Sequence, residues 1–250
     1  MIRQIPLLIA LMVFFTGSYA QERQNFAAPN YEQIEKVTKD AQSDSYYPKL
    51  LARFRNNDTT LTAREVHLLY YGQFSQEGMA NPFGSRSKFI DSTRAIYAKP
   101  EMTDDDRRKL VGYYLLDLEA EPFDLKTLYS LYNLSDRLND PRKVYYDKKM
   151  EMLMRTIVAT GDGKTVKTGF HIGSVSDEYG FLGILGLQFT SQALVGQCDK
   201  MSVKENDLGV TAIYFDITKI LEMEMKLLQG GPDLSKELKE LEKEEKKKKK

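Results

Sequence analysis

Apolar residues recur at helical spacing through the first two thirds of the chain. Positions three and four residues apart carry leucine, tyrosine, isoleucine or valine, and the runs are separated by asparagine, glycine or proline. This pattern is typical of amphipathic helices joined by short turns. It predicts a short first helix near residues 30–37 and six longer helices near residues 46–55, 62–76, 85–98, 103–118, 124–138 and 141–157.

Residues suited to helix N-caps stand at several of these starts. Asn30 is followed three residues later by Gln33, and Thr62 by Glu65, which is the spacing of a capping box. Thr103 with Asp106 marks a further helix start. Asp124 precedes another apolar run and is a good N-cap in its own right. The sequence therefore predicts where these four helices begin.

The longer helices fall into pairs that begin near residues 46, 85 and 124. A spacing of about 39 residues lies in the range of helical-hairpin repeats. The residues themselves repeat poorly between the pairs. We therefore expect a TPR-like stack of helical hairpins, with a plain helical bundle as the alternative.

The pattern changes at Gly161, where glycines become frequent and apolar residues begin to alternate. Alternation on one face predicts strands, and it is clearest at Ile213, Phe215 and Ile217. Three strands are expected here, near residues 165–175, 192–203 and 208–217. A short helix or turn is expected near residues 177–187, and a last helix near residues 219–229.

Together these patterns predict an α+β fold, in which the helical hairpins precede a small, mostly antiparallel sheet with one or two helices. The expected regions are a leader at residues 1–20 and a helical hairpin region at residues 21–160. A small β-rich region with a C-terminal helix follows at residues 161–231, and a charged lysine-rich tail at residues 232–250.

The leader has the features of a secretory signal peptide. Arg3 is followed by an apolar run from Ile5 to Gly17, and Ser18-Tyr19-Ala20 supplies a small-x-small cleavage site. No later apolar run is long enough to span a bilayer, which takes about 20 residues. We therefore expect an exported protein, periplasmic or secreted, without a transmembrane segment after cleavage.

The balanced formal charge hides an uneven distribution. The chain has 36 Lys and Arg against 36 Asp and Glu, but residues 236–250 alone hold 8 lysines and 5 glutamates. The rest, without Arg3, carries 27 basic and 31 acidic residues. A weakly acidic body argues against nucleic acid as a partner, because such binding uses a clustered basic face. The single cysteine, Cys198, rules out an intrachain disulfide.

Tyrosine doublets are the first candidate binding residues. At Tyr70-Tyr71 one ring can pack inward while the other stays half exposed, and exposed tyrosines suit peptide binding. Interhelical packing of both rings is the alternative interpretation. Further candidates lie in the glycine-rich half, at His171, Asp177, Glu178 and Tyr179.

The acidic pair also has a structural interpretation, in which Asp177 caps the N-terminus of a short helix. Cys198, His171 and an acidic residue could form a nucleophilic set, although any chain with these residues offers one. The two histidines form no His-x-x-x-His or Glu-x-x-His pair, so we expect no metal site. Nothing in the sequence indicates a cofactor.

Two stretches carry a resemblance to a known family. The first runs from Tyr46 to Phe54 and continues through Asp58–Thr62 to Leu69-Tyr70-Tyr71-Gly72. The second comprises three motifs in order, Ser174–Tyr179, Leu194–Asp199 and Tyr214-Phe215-Asp216. The chain resembles the exported Bacteroidetes proteins grouped as domain of unknown function four-nine-one-nine, over roughly residues 30–228. The resemblance implies a bacterial source and an envelope or secreted location, and it implies no activity.

The sequence favours a non-enzymatic envelope protein that binds an unknown protein or peptide, because stacked hairpins form a concave surface suited to extended partners. The alternative is a hydrolase acting on an envelope polymer, with His171, Asp177 and Glu178 as its candidate residues. An inhibitor-like or purely structural role is a third hypothesis. The sequence leaves the oligomeric state open.

Overall fold

The computed structural model describes residues 26–78, 80–81 and 87–230. The predicted leader and the lysine-rich tail lie outside these residues, as does the start of the helix predicted at residue 85. Within the described residues, no helix is both long and apolar enough to cross a membrane.

The helical region contains seven α-helices among its described residues. They are α1 Tyr31–Lys39, α2 Tyr47–Arg55, α3 Ala63–Gly72, α4 Ile90–Tyr97, α5 Asp104–Ala120, α6 Leu125–Arg137 and α7 Lys143–Val158. The predicted capping box at Thr62 with Glu65 is present, and the predicted start at Thr103 with Asp106 is a second one. The Asn30 side chain caps α1 by accepting from the Gln33 N–H. Asp124 caps α6 through the N–H groups of Lys126 and Thr127. The local signals therefore set these helix starts.

The helices pair as expected, with α2 against α3, α4 against α5 and α6 against α7. In a solenoid, however, each repeat contacts only its neighbours. Here α3 of the first pair packs directly on α7 of the third. A TPR-like stack is therefore not shown, and the arrangement is nearer to the bundle alternative.

From residue 161 to residue 230, the structure contains a four-stranded sheet and two further α-helices. The elements are β1 Phe170–His171, α8 Val175–Ile184, β2 Phe189–Val195, β3 Cys198–Val203, β4 Ala212–Asp216 and α9 Thr218–Gly230. The strand order is β1-β4-β3-β2. Strand β1 pairs with β4 in parallel, whereas β4–β3 and β3–β2 are antiparallel. The predicted α+β class and mostly antiparallel sheet are confirmed.

Two predicted strands were wrong in extent. The strand expected over residues 165–175 is only Phe170–His171, preceded by a 3₁₀ turn and separated from α8 by three residues. The strand expected over residues 192–203 is two strands, because Gly196 adopts φ +64 and turns the chain back. Val195 pairs with Cys198, which leaves a two-residue hairpin loop with glycine first.

The two halves share one hydrophobic core. The ring of Phe181 on α8 lies 5.0 Å from Phe170 and 5.4 Å from Phe215, so α8 covers the inner face of the sheet. The other side of α8 packs on α6. A Cβ atom at Gly180 would lie 2.5 Å from the backbone nitrogen of Lys126, so only glycine allows this close crossing. Helix α8 therefore joins the sheet to the helices, together with the contacts of α7 and Tyr71 with β1.

Candidate functional site

The structure joins four of the six candidate residues, because Tyr70 contacts Asp177 and Tyr71 contacts the backbone of His171, while Glu178 and Tyr179 contact Gln192 of β2. The Tyr70 hydroxyl on α3 donates to Asp177 Oδ2 at 2.7 Å and accepts from the Gly173 N–H at 2.7 Å. The Leu125 N–H, at the start of α6, donates to Asp177 Oδ1 at 3.2 Å. We call Tyr70, Leu125, Gly173 and Asp177 the Asp177 junction. It ties both halves of the molecule together through one carboxylate.

Asp177 does not cap its own helix, which corrects the structural interpretation made from sequence. Ser174 occupies the N-cap of α8, and Asp177 lies in the first turn. Its carboxylate instead bonds to the first N–H of α6, where Asp124 already caps the next two. Helix N-termini favour negative charge, so this position suits a carboxylate. Its task is therefore to join two helices.

The Asp177 carboxyl group is 2 % exposed. Burial, followed by repulsion from Asp124, raises the pKa of Asp177 to about 7, while the bonds from Tyr70 and Leu125 oppose the shift. The buried position therefore favours the protonated carboxyl group more than water does.

The neighbouring Glu178 has a less complete set of partners. It is 0 % exposed, and its Oε2 accepts only a long 3.4 Å bond from Gln192 Nε2. The same nitrogen donates to Asp199 Oδ2 at 2.6 Å. Within the described part of the chain, Glu178 Oε1 is buried without a hydrogen-bond partner. Burial, then the nearby Asp199 carboxylate, raises the pKa of Glu178 to about 9, so it is protonated at neutral pH.

Tyr179, next to Glu178, is exposed to solvent. Its ring is 38 % exposed and lies 5.5 Å from the ring of Phe189 on β2. Its hydroxyl donates to Gln192 Oε1 at 3.1 Å. Every residue of β2 is exposed. We call residues 189–195 together with Tyr179 the β2 edge.

The tyrosine doublet does not offer a ring to solvent. Tyr70 and Tyr71 are both fully buried, so the expectation of one half-exposed ring was wrong here. The Tyr71 hydroxyl donates to the backbone carbonyl of His171 at 2.9 Å, and its ring lies 4.8 Å from His67. Both tyrosines therefore act in packing, as the alternative interpretation held.

His171 lies in a lateral row of the sheet with Asp216 and Cys198. Asp216 on β4 pairs with His171 on one side and with Cys198 on the other, so the three side chains share a face. His171 Nδ1 is 3.8 Å from Asp216 Oδ1. The Asp216 carboxylate lies between the Cys198 thiol and the His171 imidazole. The thiol and the imidazole are therefore two strand spacings apart, which is roughly 10 Å. A base must lie within hydrogen-bond reach of its nucleophile, so the order does not suit a catalytic triad.

The Cys198 thiol is also poorly suited to attack. It is buried and donates to the Val166 carbonyl oxygen at 3.5 Å. Burial, then Asp216, raises its pKa to about 11. A thiol that stays protonated at neutral pH is a weak nucleophile. For His171, burial lowers the pKa and Asp216 opposes that shift.

The sequence missed Phe189, Gln192 and Asp199, which complete the surroundings of Glu178 and Tyr179. Gln192 and Asp199 lie 7 residues apart on the two arms of the β2–β3 hairpin. The signal that could have found them is Gly196, which marks the turn. Among the described residues, no cluster of three or more His, Cys, Asp or Glu could hold a metal ion.

The chain matches a protein-family model. The model described as Domain of unknown function (DUF4919) matches residues 32–226, which confirms the resemblance drawn from the sequence. Comparison with curated proteins and with solved structures finds no match.

Proposed function

Because the chain belongs to the family Domain of unknown function (DUF4919), whose description assigns no activity, we propose a function from its surfaces. The protein is a binding module that pairs an extended segment of a partner protein with the β2 edge. The observation that carries this proposal is a strand of seven residues that is exposed along its whole length at the end of a sheet.

The backbone of β2 supplies the first part of the argument. Among the described residues β2 pairs only with β3, in regular register from Ser191 to Val195. In an antiparallel pair every second residue directs its N–H and C=O away from the partner strand. Those groups at a sheet edge are a template for one more strand, and many peptide-binding proteins use them in that way.

The side chains of β2 supply the second part. Proteins usually protect edge strands with charge or proline, yet residues 189–195 contain neither. A bulge between Phe189 and Ser191 is the one protective feature of the strand. Leu194 is 62 % exposed, and Phe189 and Val195 are exposed as well. An uncharged strand with apolar side chains favours an uncharged, alternating partner segment.

The hydrolase hypothesis draws less support from the same geometry. A polymer substrate must contact its catalytic acid and base, and Asp177 and Glu178 are 2 % and 0 % exposed. The hydrogen bonds of Asp177 are those of a structural link between helices.

A library of random linear 12-residue peptides tests the proposal. We expect the selected peptides to alternate apolar and small polar residues and to bind the Leu194→Lys variant at least about tenfold more weakly, because an edge lysine blocks strand addition. The matched control is Leu116→Lys, at an exposed leucine of α5. Selected peptides that bind both variants as tightly as the original protein would exclude the β2 edge.

We further propose that the protein is exported after removal of residues 1–20. The support is the charged, apolar and small-residue order of the leader. Expressed in a bacterial host, the mature protein should begin at Gln21 and leave the cell with the osmotic-shock fraction. Recovery of the uncleaved chain from the cytosol would contradict export without affecting the peptide-binding test.

A further inference from the structure

A second surface lies on the helical half, away from the β2 edge. Helices α2, α5 and α7 border an open groove of about 430 Å³, a volume within the range of small-molecule sites. Its apolar walls include Leu115, Leu118 and Tyr146. Its charged residues are Arg55, Arg142, Lys149 and Glu119. We call this surface the α2–α5–α7 groove.

Lys149 is the distinctive residue of this groove. Its ammonium group lies 5.1 Å from the centre of the Phe54 ring, and no carboxylate among the described residues pairs with it. The neighbouring Lys148, in contrast, pairs with Glu151 at 2.8 Å. Burial, then repulsion from Arg55, lowers the pKa of Lys149 to about 8. A cation held in this way lacks a counter-ion.

The other charges show how much negative charge the groove can accept. The guanidinium of Arg142 is already held by Asp140, through bonds of 2.9 and 2.5 Å. Arg55 donates to the backbone carbonyl of Glu119 at 2.9 Å. Because a carbonyl carries no net charge, this bond does not neutralise the Arg55 guanidinium. Three cations thus face two carboxylates, Glu119 and Asp140, with a net charge of one positive. A monoanion matches this surplus, whereas a dianion exceeds it.

We propose that the α2–α5–α7 groove binds an amphipathic carboxylate. The carboxylate accepts hydrogen bonds from Lys149 and Arg55, and an apolar chain or ring lies against Leu115, Leu118 and Tyr146. Charge-assisted bonds from ammonium and guanidinium to a carboxylate are about twice as strong as neutral ones, and the partly buried setting strengthens them. Two sources carry this chemistry, a free fatty acid and the C-terminus of a peptide that ends in apolar residues.

Calorimetry with two acids and their methyl esters tests the proposal. The probes are decanoate, below its micelle concentration, and N-acetyl-leucyl-phenylalanine. We expect at least one acid to bind at least about tenfold more tightly than its ester, because the ester lacks the charge. Binding of decanoate alone points to fatty acids, and binding of the dipeptide alone points to peptide C-termini.

Lys149→Met and Arg55→Met should each weaken acid binding about tenfold, while Lys148→Met, the matched control one residue away, should change it less than about twofold. In a second readout, reductively ¹³C-methylated Lys149 should titrate at higher pH once the acid is bound, because a bound anion favours the charged amine. Three results would each overturn the proposal. They are equal binding of acids and esters, equal effects of Lys149→Met and Lys148→Met, or no binding of either acid at about 1 mM.

Discussion

The Asp177 junction and the β2 edge start from neighbouring residues of α8 and have opposite properties. At the junction, both oxygens of Asp177 accept hydrogen bonds, and the partners come from α3 and α6. At the edge, Tyr179 is exposed and reaches β2, whose outward backbone groups have no strand beside them among the described residues. Satisfied, buried polar groups hold a fold together, whereas exposed, unpaired ones are available to a partner.

Glu178 lies between the two and shares features of both. It is fully buried like Asp177, yet Glu178 Oε1 has no partner within the described residues. Its Oε2 accepts a hydrogen bond from Gln192, on the edge strand, and its other side-chain partner is Asp199. A strand that docks on β2 therefore approaches a carboxyl group that is only partly satisfied. The following variants separate the structural region from the binding one.

The largest effect is expected from Gly180→Ala, at the crossing of α8 over α6. The added methyl would lie 2.5 Å from the Lys126 backbone nitrogen and 2.6 Å from Leu125 Cβ, so the helices must separate. We expect the free energy of unfolding to fall by about 3 kcal/mol, measured by urea denaturation. Gly112→Ala is the control, because nothing lies within 4 Å of its added Cβ, and it should stabilise helix α5 by about 0.5–1 kcal/mol. Equal effects of the two substitutions would contradict the tight crossing.

Asp177→Ala should rank second. It leaves the Tyr70 hydroxyl and the Leu125 N–H without their acceptor in a buried place, which costs about 2–3 kcal/mol. Asp105→Ala, at an exposed position in the first turn of α5, should change stability by less than about 0.5 kcal/mol. If Asp177→Ala leaves the free energy of unfolding unchanged in thermal and urea denaturation, the junction does not hold the two halves together.

Glu178→Gln should change the pH dependence of stability. The folded-state pKa of about 9 exceeds the ordinary value of 4.5, so between these values the folded protein binds more protons than the unfolded chain. Stability from Glu178 is therefore complete below about pH 4.5 and is lost progressively as the pH rises towards 9. The variant should lack that loss in unfolding measured at several pH values, while Glu205→Gln, at an exposed position, should keep it. If the free energy of unfolding varied with pH in the same way for Glu178→Gln and the original protein, Glu178 would not be protonated in the folded state.

The smallest effect on stability is expected from Leu194→Lys. Its side chain is 62 % exposed, so the free energy of unfolding should change by less than about 0.5 kcal/mol. The selected peptides should nevertheless lose affinity for this variant. A large loss of stability would mean that Leu194 belongs to the core, and the contrast between the two regions would disappear.

The sequence predicted those features that depend on nearby residues. Both capping boxes join residues three positions apart, so the starts of α3 and α5 could be read directly. The strand at Ile213 and Phe215 was visible because its apolar residues alternate within five positions. The turn at Gly196 was missed because a lone glycine in a strand pattern also fits a bulge.

The candidate site depends on contacts that one sequence does not reveal. Tyr70 and Asp177 are 107 residues apart, and Asp177 and Leu125 are 52 apart. The three helices that form the α2–α5–α7 groove are also far apart in the sequence, so the groove could not be predicted from it. The exposure of β2 follows from its place at the end of the strand order, which hydrophobic alternation does not encode. The roles of these residues therefore required the fold.

Amide hydrogen exchange with and without a saturating selected peptide tests the central claim most directly. The account predicts that the outward amides of Ser191–Val195 exchange quickly in the protein alone and become at least about tenfold more protected with peptide, because a new strand covers them. The Leu125 amide, bonded to Asp177, should be protected in both states. Protection that appears on the helices while Ser191–Val195 stays unchanged would contradict binding at the β2 edge.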